Sequence, residues 1–85
     1  MNETISFDVL DKVDSELRKI GYQFVKNIGN DKLVFKRELI PNSKKELVID
    51  LKIKGFSLSY GNQNVISLTC DEIKTFNYIM QILNW

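Results

Sequence analysis

The chain has 85 residues, 44% of them apolar and 27% charged, with 12 basic against 11 acidic residues and a net charge of +1. That fits one small domain, residues 1–85, with enough apolar side chains for one core. The balance excludes a polyanion mimic, a strongly basic nucleic-acid coat and a low-hydrophobicity disordered tail. A single Cys excludes an internal disulfide framework, and the absence of His excludes imidazole catalysis and imidazole metal sites. No cofactor and no metal are expected.

Lys, Ile and Asn are abundant, Arg is scarce and Ala is missing, a bias expected of an AT-rich genome. Met1-Asn2-Glu3-Thr4 has neither a positive n-region nor an apolar run, so no signal peptide is expected. No stretch approaches the roughly 20 apolar residues that span a bilayer. A cytoplasmic protein without membrane contact is the expectation.

Ser6 to Ile20 reads as a helix. Phe7, Leu10, Val13, Leu17 and Ile20 fall on one stripe, Ser6 is a candidate N-cap, and Gly21 suits the left-handed residue after the helix. Tyr22–Ile28 and Lys32–Leu39 alternate as strands joined at Gly29-Asn30. That register sets Phe24 opposite Phe35 on one face and Val25 opposite Val34 on the other. Ile40 to Lys45, with the only proline, reads as a loop. In Glu46 to Lys54, Leu47, Ile49, Leu51 and Ile53 face one way. Lys54-Gly55 turns into Phe56–Tyr60, and Gly61–Asn64 leads to a short strand at Val65–Leu68.

Thr69-Cys70-Asp71-Glu72 fits a capping box, and Leu68 with Ile73 has the spacing of a hydrophobic staple. Ile73, Phe76, Met80 and Leu83 form the expected buried stripe, with Ile79 beside it. The fold class is therefore α+β: helix, antiparallel meander of four or five strands, helix. Both helices are expected on the apolar face of the sheet. Leu10, Val13, Leu17, Phe24, Phe35, Ile49, Leu51, Leu58, Phe76 and Met80 make the expected core.

Chemical candidates are sparse. Cys70 sits in the first turn of a helix, but no His serves as its base, and Asp71 and Glu72 disfavour a thiolate. Asp8, Asp11, Asp14 and Glu16 cluster on the first helix, where a solvated face is the plainer reading. The glycines are scattered singly, so no phosphate-cradling loop exists. The expectation is a chain that is not an enzyme.

Charge concentrates in the middle, with a local balance of +4 from Tyr22 to Lys54. A nucleic-acid-binding accessory protein using these strands is one reading. Against it, the aromatics are expected in the core, which leaves no stacking platform. Protein binding is the preferred reading. Val25, Val34 and Val48 form a small apolar centre on the outward sheet face, rimmed by Lys36, Asp50 and Lys52. Tyr78 and Trp85 form a second candidate contact. An edge strand, Tyr22–Ile28 or Val65–Leu68, offers pairing to another chain, a second copy included.

The run Val65-Ile66-Ser67-Leu68-Thr69-Cys70-Asp71-Glu72-Ile73, followed by a helix closing in Leu83-Asn84-Trp85, resembles small orphan accessory proteins of phages and mobile elements in low-GC Gram-positive bacteria. The resemblance covers about the last 21 residues and implies an inhibitor or modulator of a larger bacterial protein, including host defence proteins. The acidity of DNA-mimicking inhibitors is missing here. An immunity or antitoxin-like inhibitor of a toxin is a further alternative.

Overall fold

The computed structural model describes residues 7–40, 43–61, 63–64 and 67–85. Its elements run α1 (Phe7–Lys19), β1 (Tyr22–Ile28), β2 (Lys32–Ile40), β3 (Ser43–Asp50), β4 (Gly55–Tyr60), β5 (Gln63–Asn64) and α2 (Cys70–Ile82). The strands form one antiparallel sheet in the order β1-β2-β3-β4-β5. The α+β class and the helix–meander–helix order expected from the sequence are present. The expected cap at Ser6 lies outside the described residues. Gly21, at φ +94°, ends the turn after α1 in a conformation that L side chains rarely adopt.

One parity of the sheet supplies the core. Tyr22, Leu33, Phe35, Leu47, Ile49 and Leu58 are buried in a single cluster with Val13 and Leu17 of α1 and Phe76 and Ile79 of α2. The opposite parity carries Lys32, Val34 and Lys36 on β2, facing Asp50, Val48 and Glu46 on β3.

Several boundaries differ from expectation, each for a local reason. Phe24 does pair with Phe35, with ring centroids 5.5 Å apart. The register then shifts between Phe24 and Lys26, so Val34 faces Lys26 and not Val25. Val25 is the extra residue of a β-bulge. Asp50 ends β3 early. Its Oδ1 accepts from the backbone N–H groups of Lys52 and Ile53 at 3.0 and 3.2 Å, which favours a turn over continued pairing. Ile53, expected to face the core, is 75% exposed in that turn. The expected loop from Ile40 to Lys45 is largely strand, with Lys44 opposite Glu38 and Lys45 opposite Arg37. Gln63 and Asn64 pair with β4, whereas Ser67 and Leu68 are not strand. The rest of the strand expected at Val65–Leu68 lies outside the described residues.

Helix α2 is rotated relative to its expected stripe. Glu72, Phe76 and Ile79 are buried, while Ile73 and Met80 are exposed. A charged residue therefore takes the core position that Ile73 was expected to fill. Phe24 and Phe7, both expected on apolar stripes, are also exposed. Among the described residues, no helix is long and apolar enough to cross a membrane.

Candidate protein-contact surface

The polar chemistry of the chain converges on Glu72, which is fully buried. Its position follows from the capping box. The Thr69 side chain accepts from the Glu72 backbone N–H at 3.3 Å, and Glu72 Oε1 accepts from the Thr69 N–H at 3.0 Å. The same carboxylate reaches the sheet. Tyr22 Oη donates to Oε2 at 2.8 Å, Arg37 Nη1 donates to Oε2 at 3.2 Å, and Lys45 Nζ donates to both oxygens at 2.8 and 2.9 Å. Arg37 Nη2 also donates to Asp71 Oδ2 at 3.1 Å, and its guanidinium stands 5.7 Å from the Tyr22 ring centroid. Asp71 Oδ1 in turn accepts from the Thr69 hydroxyl. Lys45 and Arg37 thus face the buried Glu72 carboxylate, and Arg37 also reaches the half-exposed Asp71.

These contacts fix protonation states. Burial raises the Glu72 carboxyl, but hydrogen bonds from Lys45, Thr69 and Tyr22 outweigh it and hold the group below its ordinary value. Burial pushes the Tyr22 phenol up, and its hydrogen bond to Glu72 pushes it further. The hydrogen bond from Thr69 is the main cause of the lowered Asp71 carboxyl, aided by Arg37. The network thus favours an ionised Glu72 and a neutral Tyr22 at neutral pH.

The sequence did not single out Arg37, Lys45 or Glu72 as partners. The signal was parity. Arg37 is two residues beyond Phe35 and Lys45 two before Leu47, so both share the core face once β2 and β3 extend that far.

The expected contact residues are scattered over the fold. Val34 lies on the sheet face opposite the core but is only 1% exposed. Lys26 and Val48 flank it across the strands, and Lys32 and Lys36 flank it along β2. Val48 is half-buried, Asp50 is half-buried as the turn acceptor, and Lys36 and Lys52 are exposed. Tyr78 is exposed beside Val9, Lys12 and Ile82 along the helices. Trp85 packs on Phe56, at 5.5 Å between ring centroids, as part of the core margin. Tyr78 and Trp85 therefore do not form one patch with the valines.

One group of exposed apolar side chains lies on β1, at one edge of the sheet. Every residue from Gln23 to Ile28 is exposed, including Phe24, Val25 and Ile28. A hollow of about 380 Å³ is lined by Gly21, Gln23, Phe24, Val25, Lys36, Glu38 and Lys44. The bulge at Val25 re-aims the strand here, a device common beside binding sites. Val25 and Lys36, both expected contact residues, are brought together in this hollow; Phe24, Glu38 and Lys44 join them unforeseen.

Outward lysines on the central strands are matched by register. Lys32 faces Asp50, Lys36 faces Glu46, and Lys44 faces Glu38. Cys70 is exposed at the first residue of α2. Among the described residues, no group of three or more His, Cys, Asp or Glu is placed to hold a metal ion. Comparison of the chain with protein-family models, curated proteins and solved structures finds no match.

Proposed function

We propose that this chain is a non-catalytic protein-binding module whose β1 edge, with the adjoining outward sheet face, contacts a larger protein. The observation that carries this reading is the set of exposed apolar side chains, Phe24, Val25 and Ile28, on one edge strand beside a charged hollow. An apolar centre supplies affinity, and a mixed-charge rim tunes encounter and specificity. Both helices are taken to cover the apolar face, which leaves the opposite face free for the partner. The polar groups best placed for chemistry are engaged with one another around Glu72, in keeping with a binding role.

Cross-strand charge matching favours a protein over a polyanion, because carboxylates opposite Lys32, Lys36 and Lys44 offset their attraction for phosphate. The larger partner is read as a bacterial protein, inhibited or modulated by an accessory protein of phage or mobile-element origin, on the resemblance of the C-terminal segment. Affinity capture with wild-type and Val25→Glu baits tests the reading. A protein held by the wild type and lost by the variant supports it. Equal capture by both, or tight salt-sensitive binding to DNA or RNA, contradicts it.

A further inference from the structure

Among the described residues, Ile73 and Met80 of α2, both expected in the core, border an open apolar groove. The groove, of about 330 Å³, is lined by Phe56, Leu58, Leu68, Ile73, Phe76 and Met80, with Asn77 between the two exposed helix residues. Ile73, Leu68 and Met80 are 46%, 41% and 36% exposed. Ile73, Asn77 and Met80 follow one another at spacings of four and three, the seam along which two helices pack. This surface is separate from the β1 edge and does not depend on the binding role assigned there.

We propose that this seam pairs with the same seam of a second copy, α2 against α2 in antiparallel orientation, with the two-fold axis at Asn77. Three features of the helix point to its own copy as the occupant. First, a carboxamide both donates and accepts, so Asn77 can satisfy the identical side chain across the axis. A polar residue at the centre of such a seam also fixes register. Second, Lys74 is the only charged residue of α2 after Glu72, so the seam meets itself without facing rows of like charge. Third, the last turn of α2 carries no basic residue to offset the negative end of its dipole. Antiparallel pairing about Asn77 places Lys74 beside position 80 of the second copy and so near that end. Parallel pairing would set Lys74 against its own counterpart.

Sedimentation equilibrium from low to high micromolar concentration tests the proposal on the whole chain. The expected result is a concentration-dependent rise from 9.9 kDa towards twice that mass. Ile73→Lys and Met80→Lys each weaken the dimer by about tenfold or more, the loss expected for charging a buried interface centre. Asn77→Asp sets two carboxylates face to face on the axis and gives a monomer at neutral pH. Ile53→Lys, in the β3–β4 turn, leaves the dimer intact. All four positions are exposed, and an unchanged far-ultraviolet circular dichroism spectrum verifies folding. If one lysine variant unfolds, Asn77→Asp carries the test. A wild-type chain that stays at 9.9 kDa throughout, or a dimer that survives Asn77→Asp, overturns the proposal.

Discussion

Lys45 Nζ donates to both carboxylate oxygens of Glu72, at 2.8 and 2.9 Å, and joins strand β3 to the first turn of α2. The side chains are 6% and 0% exposed, so the pair is shielded from competing water. The contact closes a long loop in the sequence and ties the cap of α2 to the sheet. Glu72→Ala leaves Lys45 buried without its main acceptor. Breaking one side of a buried pair costs about 3–5 kcal/mol, a large share of the stability of a small domain. A urea titration of the variant is expected to show that loss. Glu72→Gln keeps the shape and some hydrogen bonds, and its loss is smaller.

Stability should depend on pH through the same residue. The folded Glu72 carboxyl lies below its ordinary value of 4.5. A depressed acid adds stability above the unfolded value, and this contribution is lost as pH falls through the folded one. Asp71 acts with the same sign. Tyr22 acts oppositely: its raised phenol adds stability below 10.0, which is lost as pH climbs above that value. Urea titrations across pH should show a plateau around neutrality and a fall on either side. Glu72→Gln should flatten part of the acid limb, and Tyr22→Phe should flatten the alkaline one.

The cap of α2 offers a graded comparison. Thr69→Ala removes the N-cap acceptor and should destabilise the domain by about 0.5–2 kcal/mol. Cys70→Ser, at an exposed site, should leave stability and partner binding nearly unchanged. A folded Cys70→Ser protein without activity would point to thiol chemistry.

The rotation of α2 predicts unequal costs at adjacent residues. Ile79 is 0% exposed and Met80 is 36% exposed. Ile79→Ala should cost about 2–5 kcal/mol, the range for truncating a buried aliphatic residue. Met80→Ala should cost clearly less by thermal or urea unfolding of the monomer. The sequence stripe alone gives the reverse order.

Parity makes most of the architecture legible in the sequence. The capping box of α2, the left-handed Gly21 after α1, the pairing of Phe24 with Phe35 and the alternation of Leu47 with Ile49 all agree with the fold. Two of the failures share one physical cause: a polar side chain found partners that apolar spacing does not register. Asp50 captured turn amides and ended β3, which exposed Ile53. Glu72 found donors on the sheet and turned α2, which exposed Ile73 and Met80. Such captures depend on partners many residues away and leave no trace in local periodicity. The bulge at Val25 was also hidden, because a one-residue slip leaves composition unchanged. It left Val25 unpaired and exposed on β1, while Val34 faces Lys26 and is buried.

Val34 and Val25 now separate stability from binding. Val34→Glu places a charge at a site only 1% exposed and should destabilise the monomer, seen as a lower urea midpoint. Val25→Glu, at a site 42% exposed, should leave the midpoint nearly unchanged.

The central claim is that β1 contacts a protein partner. Once affinity capture has supplied that partner, backbone amide hydrogen exchange of the free and bound chain tests it most directly. The account predicts slowed exchange in the bound state from Gln23 to Ile28, with little change in β4. Unchanged exchange along β1 in a saturated complex would contradict it.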